Sequence, residues 1–312
     1  VRLLRVGIAL ATLLLVACTK PRGGDRPDGS APAHVAASAS KALAADLLRE
    51  RPYVTHAPEG YRAHGPAPLV LVLCGYDAAG GMCDGFFGFR EMSSTESFVD
   101  VVLDGSFDAA KRRFWNATDA CCNKFGSDVD DVAYVRAVLD DVTSKESIDP
   151  KRVFVFGFSN GGFFAHRLGC EMSERIAAIA SIAGATWNDP ARCTPTSAVS
   201  VVEIHGDADE VVPYAGGHLP FDAGVPPGAL PGARATVGTW AQKDACTGAL
   251  EHAGERDLDT KLPGEETGIE RYAGCPGGVG VELWTVRGGK HVPNENDFGK
   301  AVYGFFMAHP KT

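Results

Sequence analysis

Several features are missing from this chain, and each absence removes a class of function. The 30 Lys and Arg against 39 Asp and Glu give a net charge of −9, and no long block of like charge interrupts the mixture, so nucleic acid is excluded as a partner. No segment recurs at a period of about 20–50 residues, which excludes solenoids and propellers. No cysteines stand at CxxC spacing and no histidines at His-x₃-His, so no zinc site and no metal is expected. A bilayer-spanning apolar run is also missing near the N-terminus, where the run over 6–17 stops after 12 residues, too short for a membrane helix. What remains is a globular composition, 45% hydrophobic and 22% charged, with a sizeable core. Its 37 glycines and 19 prolines predict many tight turns between short strands, not a helical bundle.

The short apolar run has its own meaning. Arg2 and Arg5 precede it, as in a secretory signal, and it ends in Leu15-Val16-Ala17-Cys18, which resembles the bacterial lipobox. The resemblance implies a signal over 1–17 and lipid on Cys18, hence an exported protein held at a membrane in the cell envelope. Residues 19–40 carry almost no large apolar side chain and cannot offset their chain entropy, so 18–40 reads as a lipidated cysteine and disordered tether before a domain over 41–312. Eight cysteines remain in that domain, an even number that in an exported protein points to disulfides. Cys246 and Cys275 flank an insertion-like segment rich in Gly, Glu and Asp and are expected to pair. Cys170 closes one helix and Cys193 lies beyond the next strand, a second expected pair. Cys74 with Cys83 and Cys121 with Cys122 are left over.

The body alternates strand and helix patterns. Residues 69–74 form a continuous apolar run between Pro68 and Gly75, as a strand buried on both faces requires. Further strands are expected over 97–103, 153–156, 176–183, 199–205 and 282–286. Helices are expected over 129–142, with acids at its positive end, and over 160–172. This alternation predicts an α/β fold with a mostly parallel sheet and helices on both faces.

One strand runs into Gly157-Phe158-Ser159-Asn160-Gly161-Gly162 and then a helix. This is G-x-S-x-G in the context it needs: flanking glycines allow a sharp turn that projects the Ser159 hydroxyl, with the following N–H groups aimed at a reacting carbonyl. A hydroxyl does not attack an ester unaided, so a histidine and an orienting carboxylate must follow. After one strand comes His205-Gly206-Asp207-Ala208-Asp209, and after another Gly288-Gly289-Lys290-His291. His291 is the expected base, and Asp207 and Asp209 compete for the acid. His205, His166 and His309 read as supporting, packed or solvated.

These stretches, with Trp115-Asn116-Ala117, Val129-Asp130-Asp131-Val132, Asp149-Pro150-Lys151-Arg152-Val153 and Val212-Pro213-Tyr214, resemble the bacterial α/β-hydrolase family that contains polyhydroxybutyrate depolymerases, feruloyl esterases and acetylxylan esterases. The resemblance covers roughly residues 50–308. It implies Ser159 as nucleophile, His291 as general base and Asp209, from a His-Gly-x-x-Asp pattern, as orienting acid. Two departures stand out: Cys74-Gly75-Tyr76 replaces the usual His-Gly, and Val292-Pro293 replaces Trp-Pro. Backbone donors survive such changes, so the Tyr76 and Asn160 N–H groups are the expected oxyanion hole. Trp115 and Tyr214 are candidates for the substrate pocket or for the core. The implied protein is a monomeric serine esterase without cofactor, acting on feruloyl, acetyl or short hydroxyalkanoate esters. The alternatives are a polyhydroxybutyrate depolymerase proper and a noncatalytic binding relative. With no linker and polymer-binding domain behind the last helix, small soluble esters are the expected substrates.

Overall fold

The structure, a computed structural model, describes residues 33–219, 230–294 and 297–312, with side chains from Lys41. The expected signal, Cys18 and most of the expected tether lie outside the described residues. Contacts divide the chain after Ser40, and the fold below is that of Lys41–Thr312. Where a structureless tether is expected to reach residue 40, the chain is already helical: α1 spans Ala33–Glu50. Its sequence is dominated by alanine, the strongest helix former, so local propensity acts where there is little apolar surface to bury.

Nine strands form the main sheet: β1 Val54–His56, β2 Ala67–Leu73, β3 Val99–Leu103, β4 Ile148–Phe158, β5 Ala178–Ile182, β6 Ser200–Gly206, β7 Leu250–Arg256, β8 Thr267–Tyr272 and β9 Val281–Val286. Their order is β1-β3-β2-β4-β5-β6-β9-β8-β7. The central pairings are parallel, and antiparallel pairs close both edges. Every residue of β2 and β3 is buried, which is why those segments read as unbroken apolar runs. The segment between Cys246 and Cys275 is not a loop insertion. It contains β7 and β8, a hairpin that completes the sheet, and β7 is mostly exposed, so it carries no apolar run to announce it.

Helices cover both faces. On one lie α4 (Asp131–Lys145), α5 (Asn160–Glu171) and α6 (Ala233–Lys243), packed through Val135, Phe163 and Trp240 on Leu71 and Val155. On the other lie α2 (Gly80–Phe87), α3 (Phe89–Glu96) and α7 (Phe298–Ala308), with Phe87, Phe89 and Phe306 on Val72 and Phe156. This is the α/β-hydrolase arrangement. Among the described residues no helix is long and apolar enough to cross a membrane.

Four disulfides staple the fold: Cys74–Cys83, Cys121–Cys122, Cys170–Cys193 and Cys246–Cys275. The last two are the pairs expected from the sequence. The first explains the cysteine that stands where the family has histidine, since it fastens the end of β2 to α2.

The paired acids Asp130-Asp131 have separate tasks. Asp130 caps α4, accepting from the Ala133 N–H at 2.9 Å. Asp131 is fully buried, bonds the Arg51 guanidinium and accepts from the Asn116 N–H at 2.7 Å. Arg51 stacks over Tyr134 at 3.8 Å and near Trp115 at 5.4 Å, so the chain just beyond α1 is tied to the loop under the site described next.

Candidate active site

Ser159 follows β4, Asp209 follows β6 and His291 follows β9. All three therefore lie beyond the C-terminal ends of parallel strands, where an α/β sheet collects its chemistry. Ser159 occupies φ 54°, ψ −123°, a strained conformation for a residue with a Cβ. Two bonds hold it: its N–H donates to the Ile182 carbonyl at 2.8 Å, and its carbonyl accepts from Phe163 N–H at 3.0 Å. The turn is possible only with glycine on both sides. A Cβ on Gly157 would meet the Gly161 carbonyl oxygen at 2.1 Å, and one on Gly161 would meet that of Leu73 at 2.4 Å.

The Ser159 Oγ lies 2.9 Å from His291 Nε2, and His291 Nδ1 lies 2.8 Å from Asp209 Oδ2. The other Asp209 oxygen accepts from the Val211 and Val212 N–H groups, each at 2.8 Å. Asp207 faces elsewhere: its Oδ1 accepts from the Gly288 N–H at 2.6 Å, pinning the loop that carries His291. The two loops touch through backbone, Ala208 N–H to Gly289 carbonyl at 3.0 Å. Geometry thus separates two acids that sequence leaves in competition.

A second layer lies beneath Asp209, and sequence reasoning did not single out its central member. Glu203 is fully buried on β6. Its Oε2 is 3.0 Å from His166 Nε2 and its Oε1 is 3.1 Å from His205 Nδ1. Gly184 N–H donates to Oε1 at 3.2 Å, and Trp240 Nε1–H donates to His166 Nδ1 at 2.9 Å. His205 Nε2–H donates to the Val212 carbonyl at 2.8 Å and stands 3.5 Å from Asp209 Oδ2. Burial works against charging His205, yet its bonds with Asp209 and Glu203 outweigh it and push the imidazole up to about 9. Burial likewise opposes ionising Asp209 and Glu203. Hydrogen bonds from His205 and His291 hold Asp209 well below the usual carboxylate range, and those from His166 and His205 lower Glu203. The signal available in sequence was a lone acid inside the apolar run Val201-Val202-Glu203-Ile204. His309 belongs to neither layer; its Nδ1 bonds the Phe305 carbonyl at 2.8 Å at the end of α7.

Asn160 opens α5, so its N–H is one of the four that no intrahelical carbonyl satisfies. Its side chain clamps Trp115, accepting from that N–H at 2.7 Å and donating to that carbonyl at 3.1 Å. Tyr76 follows Gly75, where an added Cβ would approach the Ser159 Cβ to 3.2 Å, so the end of β2 lies against the serine. The Tyr76 hydroxyl donates to Asp108 at 2.5 Å.

The two aromatics left open between pocket and core have different surroundings. Trp115 is 1% exposed, stacks on Phe164 at 4.8 Å and donates its Nε1–H to the Cys74 carbonyl at 3.0 Å. Of the two readings left open for it, its burial, stacking partner and acceptor fit the core. Tyr214 bonds Thr285 Oγ1 at 2.7 Å and meets His205 edge-on at 5.7 Å, bracing the acid loop. One residue past Trp115 begins a cavity of about 510 Å³ whose lining includes Asn116, Asp119, Lys124, Arg167, Trp187 and Arg192.

Comparison with known proteins agrees with this arrangement. A family model described as Phospholipase/Carboxylesterase matches residues 130–220. Feruloyl esterase B of Piromyces equi is 27% identical over 80% of this chain, which spans only 44% of that relative's length. The "Putative esterase NocK" of Nocardia uniformis subsp. tsuyamanensis is 30% identical over 78% of this chain and 70% of its own. Among solved structures, an acetyl xylan esterase from Aspergillus awamori superposes with a TM-score of 0.58 over 82% of this chain and 93% of that one, at 15% identity, a likeness of fold.

Proposed function

Since the chain belongs to the esterase family of α/β-hydrolases, we propose that it is a serine esterase that cleaves carboxylic esters through an acyl-enzyme. The observation that carries this is the unbroken chain of hydrogen bonds from Asp209 through His291 to Ser159. In the proposed reaction Ser159 Oγ attacks the ester carbonyl while His291 Nε2 takes its proton, and Asp209 fixes the imidazole tautomer and stabilises the imidazolium. The Tyr76 and Asn160 N–H groups receive the oxyanion. His291 then gives the proton to the departing alcohol, and water, activated by the same imidazole, releases the acid and frees Ser159.

The proposed substrates are soluble feruloyl and acetyl esters of sugar fragments. The names of curated relatives support the acyl groups. The proposed setting is outside the cytoplasm, supported by the four disulfides, with Cys18 as the lipid-bearing residue and the protein acting as a monomer. Purified protein should label with a fluorophosphonate at Ser159 and hydrolyse p-nitrophenyl acetate and methyl ferulate. Absence of labelling together with absence of turnover would leave a binding protein on the same fold. Rapid clearing of polyhydroxybutyrate granules with negligible turnover of soluble esters would reverse the substrate assignment.

A further inference from the structure

At the β1 edge of the sheet, away from the serine, three side chains from three elements converge. Their potential ligand atoms, on His56 of β1, Asp84 of α2 and Asp100 of β3, all lie within 4.8 Å of one another. The pairing of β1 with β3 sets His56 directly opposite Asp100, and His56 Nδ1 lies 2.9 Å from Asp100 Oδ2. Asp84 is reached from the helix that the Cys74–Cys83 bridge fastens to the sheet. The second observation concerns what these acids lack. Asp84 is 3% exposed and Asp100 fully buried; the two carboxyls lie against each other, and the Oδ1 of each has no hydrogen-bond donor. Buried oxygens of this kind are costly and call for a partner.

We propose that His56, Asp84 and Asp100 bind a divalent cation of the Zn²⁺ or Mn²⁺ kind that pins β1 and α2 to β3. One imidazole nitrogen and two carboxylate oxygens are the donor set such ions accept. Ligands about 2.1 Å from a common ion stand roughly 3.0–3.4 Å apart. The His56–Asp100 pair, at 2.9 Å, is close to that spacing. The Arg90 guanidinium on α3 is the cation that acts on all three groups. The His56 side chain is 22% exposed and gives the ion its way in.

The test is equilibrium dialysis of the chelator-stripped whole protein against Zn²⁺ and, separately, Mn²⁺, with metal content and melting temperature read together. One ion per chain at micromolar concentration and a raised melting temperature are expected. Asp84→Asn and Asp100→Asn should each weaken binding by about 100-fold or more while hydrolysis of p-nitrophenyl acetate is unchanged, since neither residue belongs to the serine site. His56→Gln, at the partly exposed corner, tests the same point where a buried substitution fails to fold. Wild-type protein that takes up no ion at about 0.1 mM would overturn the proposal and leave two carboxyls sharing a proton. So would binding that survives in His56→Gln and Asp84→Asn alike.

Discussion

At the C-terminal edge of the sheet all four oxygens of Glu203 and Asp209 have partners, whereas at the β1 edge Asp84 and Asp100 each leave one oxygen bare. Both regions bury a pair of acids beside imidazole on the same sheet. In the first, hydrogen bonds overcome the cost of burial and hold the carboxylates in their charged form. In the second, burial and the neighbouring Asp84 push Asp100 up to about 8, and Asp84 is also raised. What separates a buried carboxylate that works as an anion from one that seeks a proton or a cation is therefore the number of donors around it, not its depth.

The largest expected effect breaks the first region at its business end. Ser159→Ala or His291→Ala should lower kcat by about 10⁴–10⁶ with folding intact, because the two act as a unit. More than a tenth of wild-type turnover in a clean Ser159→Ala preparation would refute the assignment. Next, Asp209→Asn should cost about 10³–10⁴ in kcat, since the amide favours the wrong imidazole tautomer. Asp207→Asn, which touches only the Gly288 N–H, should stay within about tenfold. Steady-state rates with the order reversed would move the acid to Asp207.

Glu203→Gln sharpens the comparison in stability. It removes the negative charge shared by two histidines and should cost about 3–5 kcal/mol in denaturant melts. Asp84→Asn in chelator-stripped protein removes one of two facing buried acids and leaves an amide that can donate to Asp100, so it should stay within about 1 kcal/mol. Equal losses in both variants would show that burial depth, not partner count, governs these acids.

Asp244, at the end of α6, is an intermediate case. Burial pushes its carboxyl up to about 7, against the Val199 N–H and Lys311, and its Oδ2 has no partner. A carboxyl raised in the folded state holds its proton more tightly there than in the unfolded chain. Its contribution to stability is full below about pH 4 and is lost as pH rises through 7. Asp244→Asn should therefore melt above wild type at pH 8 and lose that advantage as pH falls toward 4. A difference that stays constant from pH 4 to 8 in calorimetry would contradict this reading.

Much of the fold was legible because the central strands are buried on both faces. Residues 69–74, 153–156 and 199–205 announce themselves as apolar runs and fall within β2, β4 and β6 or a residue or so beyond them. The edges were not, since β7 alternates little and faces solvent. The candidate site divides the same way. The turn around Ser159 is a local feature whose glycines betray it. Which of Asp207 and Asp209 meets His291 depends on a loop conformation held by the Gly206–Gly289 contact, and that is a matter of packing across 80-odd residues of chain. Trp115 shows the converse, since an aromatic in a family motif carries no mark that distinguishes a wall of a pocket from a brick in the core. The His56, Asp84 and Asp100 set escaped motif reading because its members come from a strand, a helix and another strand, with no ligand-like spacing in sequence.

The Arg51 tie links the start of the domain to the serine's surroundings. Among the described residues, Arg51 is the first after α1 whose side chain bonds a different element, and its guanidinium ends on Asp131, Ser106 and the Asp104 carbonyl. Asp131 in turn holds the Asn116 N–H, Trp115 holds Asn160, and Asn160 sits beside Ser159. The start of the domain is therefore joined, side chain by side chain, to the floor of the serine's turn, so a change at Arg51 is also a change in what holds the reactive centre in place.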